Sequence, residues 1–231
     1  MKWLDRQINL IGKNGINILS KSEITVFGLG GVGSYALETL VRTGIGKINI
    51  VDNDIIDKTN INRQLYALHS TIGKKKIDIA FSRCKDINPK VEIVKYDIFV
   101  ENEEDIENII KQSDYVLDCI DTIDSKINII SIANKLNIPI ISSMGVGNKV
   151  KPLDLKIKDI FETQNCPISK KIRKALREYN INNFKVLCSD EGDARLNRGI
   201  KDVSSISFVP SIAGILMSSE CIRDLIKINK I

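Results

Sequence analysis

The chain has 231 residues, 43% of them hydrophobic, with 34 basic and 29 acidic side chains and a net charge of +5. One large domain able to bury a full sheet is the natural expectation at this length, and the mild charge permits a nucleic-acid partner without pointing to one. Five widely spaced cysteines argue against a disulfide framework, and the lack of a charged segment leading into a long apolar core argues against a secretory signal, so the expected location is the cytoplasm.

Residues 5–20 place Ile8, Ile11 and Leu19 at roughly helical spacing, broken by Gly12 and Gly15, which predicts one or two short helices. Strands are then expected at 24–27, 47–51, 91–96, 115–119 and 139–143, alternating with helices at 32–42, 74–88, 103–112 and 125–136. Such alternation predicts an α/β, Rossmann-like fold: a mainly parallel sheet with helices on both faces and ligands at the carboxyl ends of the strands. After Gly147 the character changes. Residues 150–157 alternate lysine with apolar residues like an edge or hairpin strand, and 169–179 read as a basic helix. Residues 189–193 and 195–201 read as a mobile polar loop. The apolar stretch 208–217 reads as a buried helix, too short to span a bilayer. This mixed C-terminal extension has too few apolar runs for a core of its own. The expected organisation is one domain over 1–231, with a nucleotide-binding core at 1–145 and an acceptor-substrate side at 146–231.

Chemistry concentrates between residues 28 and 76. The run Gly28-Leu29-Gly30-Gly31-Val32-Gly33-Ser34 lies between a strand and a helix, where bare backbone N–H groups and the helix dipole meet a phosphate. Asp52 ends the next strand, where its carboxylate can accept bonds from ribose hydroxyls. To this point an NAD site fits equally well. Arg63 and Lys76 move the reading towards ATP, because a triphosphate carries charge beyond what a helix N-terminus serves, and a guanidinium and an ammonium neutralise it. Asp118 and Asp121 fall at or beyond a strand end facing the proposed crevice; the competing role for Asp121, or for Asp124, is a helix N-cap. His69 is expected to be a surface or packing residue, and Trp3 a packing or dimer-contact residue. Basic clusters at 74–76, 149–158 and 170–177 are either solvated faces or a surface for nucleic acid.

The ordered set Gly-x-Gly-Gly-x-Gly-Ser, Asp52-Asn53-Asp54, Asn60-Ile61-Asn62-Arg63-Gln64 and Gly73-x-x-Lys76 resembles the adenylating domain of the ubiquitin-activating-enzyme-like superfamily. Arg42-Thr43-Gly44-Ile45-Gly46, Ala67-Leu68 after the Asn-Arg-Gln motif, and Ile87-Asn88-Pro89 most resemble its tRNA threonylcarbamoyladenosine dehydratase branch. The resemblance runs over residues 5–167 and the final helix, and is faint over 168–207. It implies ATP and Mg²⁺ as cofactors, held by Gly28, Gly30, Gly31, Gly33, Asp52, Asp54, Asn60, Arg63, Gln64, Lys76 and Asp121, with Asp121 beside the metal. It implies catalytic roles for Arg63, Lys76 and Asp121, and for Arg6 acting across a homodimer interface. It further implies tRNA as substrate and a cysteine-desulfurase system as a partner, with no membrane association.

Relatives that activate sulfur-carrier proteins usually hold zinc with paired Cys-x-x-Cys motifs, and this sequence has none. That absence favours the dehydratase branch over activation of a ubiquitin-like or sulfur-carrier protein, which is the alternative. Cys188 lies where activating enzymes often place an acceptor cysteine; a buried, inert thiol is the stronger expectation, because intramolecular cyclisation needs no thioester.

Overall fold

The central strands of this fold are buried on both faces, although Thr25 and Asn49 interrupt their apolar residues, Asn49 donating to the Thr25 hydroxyl at 3.2 Å. The computed structural model describes residues 2–164, 166–179, 181, 183–196, 199 and 202–227. Its elements in chain order are α1 (Asp5–Lys21), β1 (Glu23–Phe27), α2 (Gly33–Arg42), β2 (Lys47–Val51), α3 (Lys76–Ile87), β3 (Glu92–Tyr96) and α4 (Glu103–Ile110). They continue as β4 (Tyr115–Asp118), α5 (Ile123–Lys135), β5 (Ile140–Ser143), β6 (Leu155–Asp159), α6 (Pro167–Glu178), β7 (Lys185–Ser189) and α7 (Phe208–Leu225).

The strands form one seven-stranded sheet in the order β3-β2-β1-β4-β5-β7-β6, parallel except for the antiparallel edge pair β6 and β7. Pleating sends Ile24, Val26, Ile48 and Ile50 into the core under α2, α3 and α7, and Phe27, Val51 and Val116 into the core under α4, α5 and α6. Each fully buried aliphatic side chain contributes about 1.5–3 kcal/mol of transfer free energy. The chain runs outward from β1 through β2 to β3, then returns to the other side of β1 with β4. The strand order therefore reverses between β1 and β4, which opens a crevice at their carboxyl ends.

Local detail departs from expectation in the C-terminal third. The first half of the expected strand at 150–157 is a short 3₁₀ turn, Pro152–Asp154, because proline supplies neither the N–H nor the φ of a ladder position; pairing begins only at Leu155. The helix expected at 208–217 runs on to Leu225. In α1, Gly12 adopts φ 76° and breaks the helix in two, as its position suggested, while Gly15 stays helical and buried. The N-cap of α5 is Thr122, with no side-chain cap bond, so neither Asp121 nor Asp124 caps that helix. Among the described residues no helix is long and apolar enough to cross a membrane.

Candidate functional site

The glycine loop takes its shape from two close approaches. Gly28 has φ 85° and donates to the Val51 carbonyl at 2.8 Å, and a Cβ on it would press 3.1 Å from the Cys119 carbonyl carbon. A Cβ on Gly33 would lie 1.7 Å from the Gly28 carbonyl oxygen, so only glycine lets α2 begin this close to the end of β1. The N-terminus of α2 has no side-chain cap bond; the Ser34 and Ala36 N–H groups donate to the Gly30 and Val32 carbonyls, and the other N–H groups of the first turn are left for a ligand. Gly30 and Gly31 face the turn that carries Gln64 and Arg63: the Gln64 Nε2 is 3.9 Å from where a Gly30 Cβ would lie, and the Arg63 Cγ is 3.4 Å from that of Gly31. Pro210 of α7 packs against Gly31 as well, its Cβ 3.1 Å from the same position.

Asp52 follows β2 and braces this loop. Its Oδ2 accepts the Leu29 N–H at 2.6 Å and its Oδ1 accepts the Asp54 N–H at 2.9 Å. Burial raises its pKa above the usual carboxylate value, against the opposing pull of the Lys76 charge. Asp52 thus fixes the loop through two backbone donors, and lone pairs remain on its oxygens for a ribose.

A small bracket explains which lysine of the 74–76 run turns inward. Ile55 and Lys75 form an antiparallel bridge, the Lys76 N–H donates to the Asp54 carbonyl at 3.0 Å, and the Gly73 N–H donates to the Ile56 carbonyl at 2.9 Å. In that register Lys75 points away and pairs with Asp97, Lys74 is exposed, and the Lys76 side chain is 6% exposed with Nζ 2.6 Å from Asp54 Oδ2. Asn60 organises the neighbouring turn. Its Oδ1 accepts the Asp57 N–H at 3.1 Å, and its carbonyl accepts the N–H groups of Arg63 and Gln64. Arg63 in turn donates from Nη1 to the Thr59 carbonyl at 3.0 Å and to Asn62 Oδ1 at 2.8 Å. The structure therefore brings Gly28, Gly30, Gly31, Gly33, Asp52, Asp54, Asn60, Arg63, Gln64 and Lys76 together at the carboxyl ends of β1 and β2.

The segment after β4 completes the crevice, with a correction. Asp118 does not face it: the residue is fully buried, and its carboxylate is held by Lys126 and Ser142. Asp121, three residues on, is exposed, in the turn whose Cys119 and Ile120 pack against Gly28. Arg6 lies elsewhere in the chain. Its neighbour Gln7 donates to the Thr43 carbonyl at the C-terminal end of α2, about 15 Å along the helix from the glycine loop. His69 sits in an exposed turn, and Trp3 is 44% exposed.

The C-terminal third is tied together more tightly than its polarity suggested. Lys149 donates to the carbonyls of Glu191 and Gly192, the Glu191 carboxylate accepts the N–H groups of Val150 and Lys151, and Lys156 and Lys158 pair with Asp190. Three lysines of the 149–158 cluster are thus spent on the adjoining segment at 190–192, and the segment expected to be mobile at 189–193 is anchored by them. The loop expected at 195–201 falls partly outside the described residues. In α6, Lys170, Lys171, Lys174 and Arg177 are exposed, whereas Arg173 donates to the carbonyls of Ile160 and Thr163. Cys188 is fully buried in β7.

Two contributions escaped sequence reasoning. Asn62 donates from Nδ2 to the Ser205 carbonyl at 3.1 Å, linking the Asn-Arg-Gln turn to the segment before α7. A Cβ on Gly214 of α7 would meet the Val32 carbonyl oxygen at 2.2 Å, so α7 lies directly against the start of α2. An isolated glycine within an apolar helical run is the signal that marked this contact.

A glycine loop at the reversal point of a parallel sheet, with an acid after β2 and a recessed lysine opening α3, defines a nucleotide-binding α/β protein. The chain belongs to the ThiF family, whose profile matches residues 4–231. It is 41% identical over 234 residues to the tRNA threonylcarbamoyladenosine dehydratase of Bacillus subtilis, covering 94% of this chain and 92% of that relative. The fold is similar to crystal structures of the Escherichia coli tRNA N6-threonylcarbamoyladenosine dehydratase. The complex with AMP matches at a TM-score of 0.90 and 26% identity, over 96% of this chain and 93% of that one. The complex with ATP matches at 0.91 and 26%, over 98% and 94%.

Proposed function

We propose that this chain is an ATP-dependent tRNA threonylcarbamoyladenosine dehydratase, which adenylates the carboxylate of the threonylcarbamoyl side chain and closes it into a ring. The observation that carries this reading is the convergence of the open α2 N-terminus, Arg63 and the recessed Lys76 on one crevice, in a chain similar over 94% of its length to a dehydratase of that name. The loop at 28–33 and the first N–H groups of α2 hold the phosphates, and the free lone pairs of Asp52 accept ribose hydroxyls. Asp54, Asn60 and Gln64 shape the pocket floor and the turn that aims Arg63.

In the first step a carboxylate oxygen of the modified adenosine attacks the α-phosphorus, and pyrophosphate leaves. Arg63 and Lys76 offset the charge that builds on the departing oxygens. The acyl-adenylate replaces a poor leaving group with AMP. An internal nucleophile already on the same molecule then displaces AMP at high effective molarity, and the carboxylate oxygen departs with it, so the nucleoside loses the elements of water. The exposed carboxylate of Asp121 would hold a partly hydrated Mg²⁺, which when bound would supply further charge neutralisation to the phosphates.

On this reading residues 1–145 serve the nucleotide and 146–231 the acceptor within one domain. The enzyme is a ligase acting in the cytoplasm, where its tRNA substrate is. It works as a homodimer in which Arg6 reaches the partner's nucleotide, and a cysteine-desulfurase system is a partner. The test is incubation with ATP, Mg²⁺ and tRNA bearing threonylcarbamoyladenosine, followed by nucleoside mass measurement. The expected product is lighter by one water and depends on ATP. Unchanged nucleoside alongside an adenylated carrier-protein tail identifies the activating branch instead.

A further inference from the structure

Lysine is almost never fully buried, yet Lys126 is 1% exposed and Asp118, its partner, is 0% exposed. The Lys126 Nζ donates to Asp118 Oδ2 at 2.8 Å and to Ser142 Oγ at 3.2 Å, and Ser142 Oγ donates to the same carboxylate oxygen. Asp118 and Ser142 are register partners on β4 and β5. Taking two charges out of water costs several kcal/mol per ion, and well-packed apolar residues often serve stability as well or better, so stability alone does not account for this cluster. Its position suggests another role. The second oxygen of Asp118 accepts the Ile120 N–H at 3.3 Å, and the backbone N–H of Lys126 donates to the Thr122 carbonyl at 3.0 Å. One residue thus grips the end of the 119–122 turn with its main chain and the start of it, through Asp118, with its ammonium.

We propose that Lys126 is a positioning residue that staples the 119–122 turn and so fixes where Asp121 meets the metal-bound nucleotide. The proposal rests on the adenylation reading above. The Cys119 N–H also donates to the Phe27 carbonyl at 2.8 Å, so the stapled turn is registered directly on the strand that leads into the glycine loop. In a dry site such bonds are strong and hold their geometry. Asp121 itself is exposed, so its place is set by the turn that bears it.

The test compares wild type with Lys126→Met, Ser142→Ala, Asp121→Ala and the Lys126→Met/Asp121→Ala pair. Three readouts are taken: pyrophosphate release with modified tRNA as Mg²⁺ is titrated, ATP binding without metal, and amide hydrogen exchange at 119–122 in the free protein. Lys126→Met is expected to raise the half-saturating Mg²⁺ or lower the rate by roughly 10–100-fold, the usual effect of removing a partner that orients a metal-site carboxylate. Ser142→Ala is expected to shift both in the same direction. Both variants should speed exchange at 119–122 and leave metal-free ATP binding intact. In the Asp121→Ala background Lys126→Met should lower the rate no further, because the two residues act through one position. Full additivity of the pair, or unchanged exchange at 119–122, overturns the staple. If Lys126→Met does not fold, Ser142→Ala carries the same readouts, with and without Asp121→Ala. A wild-type protein that releases no pyrophosphate overturns the adenylation reading, and the exchange measurement still decides the staple.

Discussion

The Lys76 ammonium donates to the Asp54 carboxylate at 2.6 Å while the Lys76 main-chain N–H donates to the Asp54 carbonyl at 3.0 Å, so one residue holds the other at both ends. Lys76 is recessed and Asp54 is exposed, at 6% and 65% of their side chains. The pair therefore keeps a cation at the crevice mouth with ammonium donors still free for an arriving phosphate.

From this arrangement, Lys76→Met should keep the buried stem and the fold but lose the charge. Arg63→Ala should likewise leave the fold intact, since its donors serve only its own turn. Each is expected to lower pyrophosphate release by roughly 10²–10³-fold, about 2.7–4 kcal/mol, as for removal of a donor aimed at developing charge. Wild-type turnover in both variants, measured alongside a thermal melt, would remove these residues from the clamp.

Arg6 lies near the end of α2 remote from the glycine loop of its own chain, so the proposed role requires it to reach the nucleotide of a second copy. Mixing Arg6→Ala chains with Lys76→Met chains should restore part of the lost activity once subunits exchange, because every mixed dimer then holds one intact site. No recovery despite exchange followed by mass-tagged subunits would place the action of Arg6 within one chain.

The thiols separate by environment. Burial pushes Cys84 up to about 12, and raises Cys119, Cys188 and Cys221 as well. At Cys166 burial also opposes ionisation, but hydrogen bonds from Ser169, Gly145 and Ile168 outweigh it and bring the thiol below its usual range. Maleimide at neutral pH should therefore label Cys166 first. Both Cys188→Ala and Cys166→Ala should retain activity with ATP and modified tRNA. A folded but inactive Cys188→Ala enzyme would restore a thioester route.

The exposed lysines of α6 give the tRNA reading its own measurement. Activity should fall steeply with salt, with a log–log slope of about 0.7–0.9 per phosphate contact. Charge reversal at Lys170, Lys171 and Lys174 should flatten that slope while ATP binding holds. Arg173 is left out of the set because its guanidinium is bonded to the Ile160 and Thr163 carbonyls, and reversing it would disturb the fold. A slope unchanged by the reversals would move the tRNA surface elsewhere.

Glu38 joins α2 to α3 through Arg83 and also pairs with Arg42. Burial pushes its pKa up, yet the bonds and charges of the two arginines together hold it below the ordinary 4.5. A lowered carboxylate pKa stabilises the fold at pH above its unfolded value, and that contribution disappears as pH falls through the folded one. Glu38→Gln should then lose about 0.2–1 kcal/mol in urea unfolding at pH 7 and match wild type well below pH 4. A deficit that persists in acid would assign the effect to packing.

How much of this could be read beforehand follows from what each residue touches. The expected strand at 47–51 has the bounds of β2 itself, since Ile48, Ile50 and Val51 are strand formers set between breaks at Gly46 and Asp52, a local pattern that needs no partner to be recognised. The glycine loop and the Asp52 and Asn60 turns were legible for the same reason: their work is done by local backbone geometry. Long-range partners were not. Nothing in the Ile-Asp-Ser-Lys stretch marks Lys126 as buried against a serine of β5, and Arg173 looks like any other basic residue of its helix until the 3₁₀ turn Ile160–Glu162 folds against it. The insertion of β7 between β5 and β6 depends on a crossover that local pattern does not encode.

The contact of Gly214 with the start of α2 has a bearing on biosynthesis. The helix that braces the glycine loop follows all seven strands in the chain, so a nascent polypeptide has every strand synthesised before its brace. A chain cut short before Phe208 would accordingly keep every strand of the sheet and lose the backbone that closes against the start of α2.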